Sequence, residues 1–281
     1  MPRTTIRAAD HYTADQLSAL FTRVYAGYFV PVRLDAASFR SMVETFDIDL
    51  AASRVVALGR KLVAIALLGI REKRGWIGGM GVAPEQRGHR LGWTVMQAVL
   101  DAAHERQLRS VDLELITENA PAIHVYDQLG FRRRRTLEVW NRHADSTFPL
   151  PPRRDIQPLD VADCLAAFDD LHTVTPPWQR DLPSLQRMAT SLSGLGILEG
   201  GQLSAYVLYR MRGAQVEALD AAAAPGQRTK AIEAVFRGLI RHRSGSPLRF
   251  NNLSHDDPVS EAMHQLGADV ELRQYEMTLD L

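Results

Sequence analysis

The segment Trp76–Gly92, which reads WIGGMGVAPEQRGHRLG, constrains the fold of this chain more than any other. An apolar, glycine-rich strand leads through a turn at Pro84 into a basic loop, and the loop opens a helix that continues TVMQAVLDAAHERQ. Backbone N–H groups at the start of a helix lack partners within the helix and carry the positive end of its dipole. The segment therefore predicts a strand–loop–helix unit that binds a phosphate group. An ordinary strand-to-helix connection is the alternative.

The basic loop carries donors and glycines in a pattern that differs from two common phosphate loops. Arg87, His89 and Arg90 supply donors, while Gly88 and Gly92 let a bulky phosphate approach the backbone. A nucleotide P-loop requires Lys followed by Ser or Thr after its glycines, and no such pair follows here. A dinucleotide-binding loop requires the spacing G-x-G-x-x-G, which these glycines do not meet.

The loop resembles motif A of the GNAT superfamily of N-acetyltransferases, which reads Q/R-x-x-G-x-G/A and binds the pyrophosphate of acetyl-CoA. Arg87 and Gly92 take the first and last places, and Arg90 stands where the family usually has Gly. The resemblance implies that acetyl-CoA is the cosubstrate. It also implies that the pyrophosphate is held by the loop and the first helical turn, which comprise Arg87, Gly88, His89, Arg90, Leu91, Gly92 and Trp93.

A second motif lies downstream at residues 119–131, which read NAPAIHVYDQLGF. It is similar to the pattern N-x-x-A-x-x-x-Y-x-x-x-G-F of the same family, and Tyr126 takes the tyrosine position. In that family the tyrosine protonates the departing CoA thiolate, a step for which a phenol near sulfur is suited. Helix packing is the other interpretation of Tyr126. Asn119 either contacts CoA, as the resemblance implies, or caps the helix.

The resemblance further implies that the strand presents the acetyl carbonyl to a backbone N–H near Met80, Gly81 and Val82. The run Gly-Gly-Met-Gly predicts a bulge that separates this strand from its neighbour and leaves donors for a developing oxyanion. Glycines kept for packing are the alternative. Glu114 on the neighbouring strand is the candidate general base, acting directly or through water, and a solvated strand position is the alternative.

The aromatic segment YAGYFVPVR, residues 25–33, joins the first two predicted helices. Its counterpart in GNAT proteins lies over the acceptor site. The resemblance therefore implies that Tyr28 and Arg33 contact the acceptor, together with Trp76 at the start of the glycine-rich strand. A hydrophobic lid without specific contacts is the alternative.

The predicted elements of the first half follow the order β-α-α-β-β-β-α-β-α-β, which is also the order of the GNAT fold. Three prolines in STFPLPPRR then predict a linker, after which a similar order begins again. We therefore expect an α+β protein with two tandem GNAT-like domains at residues 1–143 and 155–281, joined by a linker at 144–154. Each domain is expected to hold a mixed, mostly antiparallel sheet flanked by helices.

The second half aligns with the first without gaps at two places. The basic loop PEQRGHRLG matches PGQRTKAIE at residues 225–233, and ENAPAIHVYDQLGF matches HDDPVSEAMHQLGA. Gly92 is replaced by Glu233, whose carboxylate repels a diphosphate, and Tyr126 is replaced by Met263, which has no proton to give. The second half is thus predicted to keep the fold without the cofactor, as a degenerate GNAT domain.

The composition limits the kinds of partner that we expect for this protein. Lys plus Arg and Asp plus Glu both total 33, so no global field favours nucleic acid or an anionic membrane. The single cysteine, Cys164, excludes an intrachain disulfide, and the nine histidines lack the spacing of a metal site. The N-terminus lacks an apolar signal core, so we expect a cytoplasmic protein, monomeric or homodimeric, without a metal.

These observations favour an acetyl-CoA-dependent N-acetyltransferase whose first domain lets a primary amine attack the thioester directly in a ternary complex. The acceptor is expected to be a small molecule or a peptide. A non-catalytic acyl-CoA sensor is the alternative from another class. Tandem organisation is also similar to that of mycothiol synthase, an alternative within the same chemistry.

Overall fold

The computed structural model describes residues 3–145, 156–226 and 228–281. The chain divides into two compact units, the first formed by residues 1–134 with 275–281 and the second by residues 135–274. The linker predicted at 144–154 lies almost entirely outside the described residues.

The first unit follows the predicted element order closely. Its elements are β1 (Thr4–Ala8), α1 (Ala14–Val24), α2 (Ala36–Thr45), β2 (Arg54–Leu58), β3 (Lys61–Arg71), β4 (Arg74–Val82), α3 (Leu91–Glu105), β5 (Ser110–Ile116) and α4 (Ala120–Gln128). Strands β1 to β4 pair antiparallel in sequence order, and β4 pairs parallel with β5. The mixed sheet and its flanking helices confirm the predicted α+β class.

Helix starts in the first unit are encoded locally. Thr13 and Gln16 form a reciprocal capping box at α1, and the Asp35 side chain accepts from the N–H of Ser38 at α2. Helix α3 buries Val95 and Met96 against the sheet, as its apolar spacing requires. The core of this unit therefore lies between α3 and the strands.

Strands β4 and β5 separate partway along their length. Their parallel pairing ends at Trp76 opposite Asp112, although β4 continues to Val82 and β5 to Ile116. A register shift in the β3–β4 pair leaves Gly78 as the extra residue. The predicted bulge is therefore present, and an opening follows it between the carboxyl ends of two parallel strands, where ligands bind in many α/β sheets.

The glycines of β4 also serve packing. A Cβ at Gly79 would lie 2.6 Å from the ring of Phe21, and one at Gly81 would lie 2.6 Å from the side chain of Val24. Both contacts are shorter than real Cβ contacts, so these glycines let α1 lie directly on β4. Both interpretations of the Gly-rich run apply: its glycines form a bulge and allow close packing.

The second unit repeats the arrangement with shorter helices. The remaining elements are β6 (Arg132–Arg142), β7 (Gln157–Leu159), α5 (Val161–Ala166), α6 (Phe168–Leu171), α7 (Leu182–Met188), β8 (Ser193–Glu199), β9 (Gln202–Arg212), β10 (Gln215–Ala223), α8 (Arg228–His242), β11 (Leu248–Ser254), α9 (Pro258–Gln265) and β12 (Asp269–Asp280). The helix predicted at Ala162–Leu171 is divided into α5 and α6. No helix within the described ranges has the length and apolar character needed to span a membrane.

Two strands cross the boundary between the units. The chain leaves the first unit within β6 and returns to it within β12, so that residues 275–281 belong to the first unit. There Met277 is fully buried, and the N–H of Leu281 donates to the carbonyl of Arg109 at 2.9 Å. The boundaries predicted at residues 143 and 155 follow chain order and therefore differ from the compact units for these two strands.

Candidate functional site

The N-terminus of α3 is open. Gly88 has a φ of +83°, and a Cβ there would meet no atom within 4 Å. At Gly92 a Cβ would lie 3.7 Å from Val82 and 3.9 Å from Met80, which is ordinary contact. No side chain caps this helix. A glycine inside a helix costs up to about 1 kcal/mol relative to Ala, and nothing in the protein's own packing requires one at position 92. The opening therefore suits a bulky anion.

Arg90 takes the place of the usual GNAT glycine without changing the backbone shape. It adopts the left-handed conformation, with φ 59° and ψ 11°, immediately before α3. A side chain in this region costs about 1 kcal/mol or more, which explains why glycine is the common residue. The Arg90 side chain is exposed, so its positive charge stands at the helix start.

The Arg87 side chain bonds to backbone carbonyls of the protein. Its guanidinium donates to the carbonyls of Val24 at 3.0 Å, Ala26 at 3.2 Å and Val82 at 3.3 Å. A ring nitrogen of His89 lies 3.1 Å from the Arg87 carbonyl. Arg87 therefore ties the loop to the end of α1, rather than offering its side chain to a ligand.

The next two residues of α3 differ in exposure. Leu91 is 9% exposed and anchors the helix in the core, whereas Trp93 is 42% exposed. Of these three residues, only Arg90 brings an exposed positive charge to the helix start.

Tyr126 is buried in the last turn of α4. The helix begins at Asn119, whose Oδ1 accepts from the N–H of Ala122 at 3.3 Å, so the capping interpretation of Asn119 is confirmed. The Tyr126 ring lies 5.6 Å from the ring of Phe131. Burial raises the pKa of the Tyr126 phenol well above its usual value near 10, and the neighbouring Tyr25 and Tyr28 raise it further. Tyr126 therefore remains protonated at neutral pH.

Tyr25, the first residue of the aromatic segment, also lies at the site, although the sequence gave it no role of its own. It is the C-terminal cap of α1, and a Cβ at Gly79 would lie 3.3 Å from its hydroxyl oxygen. The Tyr28 ring meets that of Tyr25 edge to face at 5.1 Å. Burial raises the pKa of both phenols. Three phenols therefore meet at the opening between β4 and β5.

Trp76 and Glu114 form a pair across the same two strands. The Trp76 indole N–H donates to Oε2 of Glu114 at 2.7 Å, and the Trp76 ring lies 5.6 Å from the ring of Phe46. Trp76 is only 4% exposed, and Glu114 is half-buried. Trp76 therefore holds the candidate base in place rather than lining an open acceptor pocket. Arg33 is exposed on the loop before α2, and no described contact brings it to this cluster.

The second unit fills the equivalent opening with an ionic network. The parallel pairing of β10 and β11 ends at Ala218 opposite Phe250, next to a register shift like that of β4. Arg180 donates to the carbonyls of Leu219 at 2.9 Å and Asn252 at 3.0 Å, so it bridges the two strands. Arg180 is 2% exposed.

A buried carboxylate holds Arg180 there. Asp220 aligns with Gly79, and its Oδ1 lies 3.4 Å from a terminal nitrogen of Arg180. The same carboxylate accepts from the Tyr206 hydroxyl at 2.7 Å and from Nε2 of His172 at 3.0 Å. Burial disfavours charge on both members of the His172–Asp220 pair, but their attraction raises the pKa of His172 and lowers that of Asp220. The network leaves the opening of the second unit closed by charged side chains.

The Acetyltransferase (GNAT) family model matches residues 21–131, which contain the loop, the bulged strand and Tyr126. Residues 21–131 therefore match a GNAT acetyltransferase domain. Over 55 residues the chain is 42% identical to a mycothiol acetyltransferase of Catenulispora acidiphila. The aligned stretch covers 20% of this chain and 18% of that protein. Over 50 residues it is 44% identical to a streptothricin acetyltransferase of Streptomyces lavendulae, which covers 18% of this chain and 26% of that protein.

Solved structures extend the likeness to the whole chain. A GCN5-related N-acetyltransferase from Sphaerobacter thermophilus matches with a TM-score of 0.74 at 16% identity, over 99% of this chain and 95% of that one. A tandem GNAT protein from the clavulanic acid biosynthesis pathway matches with a TM-score of 0.71 at 13% identity, over 99% of this chain and 98% of that one. At these identities the likeness shows the fold, and it gives both halves the GNAT architecture.

Two glycines four residues apart should respond oppositely to alanine. Gly88→Ala places a Cβ on left-handed backbone, so we expect a loss of about 1 kcal/mol in the free energy of unfolding. Gly92→Ala meets only ordinary contacts within a helix, so we expect a gain of about 0.5–1 kcal/mol. Urea unfolding of the two variants and the parent measures both values. A destabilised Gly92→Ala would show that the fold itself requires that glycine.

Proposed function

We propose that the first unit transfers an acetyl group from acetyl-CoA to a primary amine, which attacks the thioester directly in a ternary complex. The carrying observation is the position of Met80 in the opening between β4 and β5. On one side its side chain borders Gly92 at the open start of α3, and on the other its backbone meets the tyrosine cluster that includes Tyr126. An anion site and a buried proton donor thus share one opening.

The residues at the start of α3 fit a pyrophosphate. Backbone N–H groups from Gly88 to Trp93 and the exposed charge of Arg90 would hold it, and Gly92 leaves room for its bulk. Asn119 caps α4, so it would support the site by fixing the start of that helix. Acetyl-CoA, when bound, supplies an activated acetyl thioester.

The chemistry then divides among three groups of this chain. The Met80 backbone N–H, with Gly81 and Val82 beside it, polarises the acyl oxygen. Glu114, held by Trp76, removes a proton from the amine nitrogen, directly or through water. Tyr126 gives its proton to the sulfur as the carbon–sulfur bond breaks and the carbon–nitrogen bond forms. Tyr126 carries its proton at neutral pH, as a general acid must.

The acceptor belongs to the same proposal. Local likeness to a mycothiol acetyltransferase and a streptothricin acetyltransferase supports a small-molecule amine, and a peptide amine is the competing acceptor. An acceptor screen that follows thiol release decides between them. A cytoplasmic location and a monomeric or homodimeric state complete the proposal.

A non-catalytic acyl-CoA sensor is the second candidate. The tight packing of Tyr126 against Phe131 favours it, since a phenol used only for packing would look the same. Turnover of acetyl-CoA against a panel of amines separates the two functions. A sensor would bind acetyl-CoA and release no thiol with any amine.

We further propose that the chain binds one acetyl-CoA, in the first unit. Glu233, which aligns with Gly92, lies in the second turn of α8 and pairs with Arg237 at an Nε–Oε1 distance of 2.9 Å, so this helix carries a carboxylate at the aligned position. Met263 replaces Tyr126 and is fully buried. The Arg180 network supports the same conclusion, because a ligand would have to displace buried charges.

Tyr126→Phe tests the proton donor. It removes the hydroxyl and little volume, so we expect acetyl-CoA affinity to hold while turnover falls on the order of a hundredfold. Because burial raises the pKa of Tyr126 above its usual value, the parent should lose no turnover through this group up to about pH 10. Steady-state kinetics over this pH range measures both effects. Full turnover by Tyr126→Phe at neutral pH would remove the assignment.

Gly92→Glu tests the phosphate site, with Gly92→Ala as the matched control. The glutamate copies the second unit's residue and sets a carboxylate against the diphosphate, so we expect acetyl-CoA binding to be lost. Alanine adds only a methyl group and should retain binding. Calorimetric titration, with circular dichroism to check folding, makes the comparison. Unchanged affinity in a folded Gly92→Glu protein would contradict the phosphate site.

A further inference from the structure

We infer that His172 keeps a buried proton that fastens one end of a Pro-rich segment of the second unit to Asp220, and that this fastening is lost as the solution becomes alkaline. The Pro-rich segment comprises residues 172–180, which read HTVTPPWQR. The inference concerns the second unit and does not depend on the proposed acetyl transfer.

Both ring nitrogens of His172 face oxygen acceptors. Nδ1 lies 2.8 Å from the carbonyl oxygen of Phe168, and Nε2 lies 3.0 Å from Oδ1 of Asp220. A neutral imidazole has one N–H and one lone pair, so either tautomer would set a lone pair against an oxygen. The imidazolium donates from both nitrogens, so this form of the ring satisfies both contacts.

The surroundings of Asp220 keep the shared proton on the imidazole. The Tyr206 hydroxyl donates to Oδ2 at 2.7 Å, and a terminal nitrogen of Arg180 lies 3.4 Å from Oδ1. Donors around a carboxyl group favour its charged form. Asp220 therefore accepts from His172 rather than donating to it.

The ring of Phe168 adds to this preference. It lies 4.0 Å from the ring of His172 at an interplanar angle of 31°. A cation against an aromatic face is attracted by that ring. Burial opposes charge on His172, but the attraction of Asp220 and the two hydrogen bonds outweigh it and raise the pKa of His172 above its ordinary value near 6.5.

The other charged and titratable groups of this region come from several elements. Arg180 lies beside the same carboxylate and opposes a second positive charge. Burial raises the pKa of the Tyr206 phenol on β9 above its usual value and that of the Cys164 thiol on α5 to about 12. Asp257 caps α9, and burial raises its pKa from a low ordinary value. Among these groups, His172 has the ordinary titration range that lies nearest to neutral pH.

Asp220 holds both ends of the Pro-rich segment. His172 directly follows α6, and Arg180 closes the segment, where it also donates to the carbonyls of Leu219 and Asn252. Loss of the proton from His172 would replace a charge-assisted hydrogen bond by a lone pair that faces an oxygen. The segment should then loosen at the end that follows α6, while Arg180 keeps the other end in place.

The pH dependence of this device has a definite sign. Because the pKa of His172 is higher in the folded protein than in the unfolded chain, the folded state retains a proton between the two values. The stabilisation is complete below about pH 6.5 and is lost as the pH rises through the folded pKa. Within that window the equilibrium constant for opening should rise by up to about tenfold per pH unit.

Ring ¹⁵N NMR of the intact, histidine-labelled chain tests the protonation state directly. With His172 assigned by through-bond correlation in the parent protein, we expect both of its nitrogens to carry protons at about pH 6.5 and to titrate with a midpoint above that value. A neutral tautomer at this pH, or a midpoint at or below it, would overturn the inference.

Amide exchange across residues 172–180, corrected for the intrinsic rate at each pH, tests the consequence. Protection in the parent should fall as the pH rises above about 6.5. His172→Gln keeps a donor toward Asp220 but has no proton to lose, so its protection should be lower at the start and fall less. Tyr206→Phe is the matched control, because it removes a donor to the same carboxylate and leaves the imidazole in place. It should retain the fall with pH.

Two results would contradict this consequence. One is protection in the parent that does not change with pH, and the other is an identical fall in the parent and in His172→Gln. If His172→Gln does not fold, the pH dependence of the parent and the NMR titration decide the question.

Discussion

The separation of β4 from β5 is the constraint on which the site depends. Because Gly78 is an extra residue in β4, the strand leaves its parallel partner after Trp76 and exposes backbone donors that a continuous sheet would satisfy. The groups of the site lie around this opening. Met80 lies on this part of β4, Tyr25 lies against the neighbouring Gly79, and a short loop joins β4 to the start of α3. Buried polar backbone groups need partners, so the donors on this edge of β4 need acceptors.

The equivalent opening in the second unit shows how one fold can carry different side chains at the same place. Where the first unit has Gly79, the second has Asp220, and a carboxylate at that point requires cations and hydroxyls around it. Arg180 completes this requirement by bridging Leu219 and Asn252. The fold is kept because side chains of the protein fill the space between the separated strands. The helix that follows the strand is altered as well, since Glu233 in the second turn of α8 replaces Gly92.

Much of the fold was readable in the sequence because its signals are local. Apolar periodicity, the caps at Thr13 and Asp35, and the glycine-rich strand predicted the element order and the bulge. The left-handed turn at Arg90 was not readable, since Arg gives no sign of the φ of 59° that its motif position imposes. Tyr25 was missed for a related reason: its role arises from Gly79 on a distant strand, which no local pattern connects to it. The return of β12 to the first unit was likewise not readable, because it depends on tertiary packing. Met277 and its neighbours pack into the core of that unit.

The central claim is that an acyl-CoA binds at the open start of α3 and not at its counterpart in the second unit. Hydrogen exchange of the intact chain, compared with and without saturating acetyl-CoA, tests it most directly. The account requires slower exchange across residues 88–93 and around Met80, with residues 228–233 unchanged. Slower exchange at 228–233, or none at 88–93 despite bound acetyl-CoA, would contradict it.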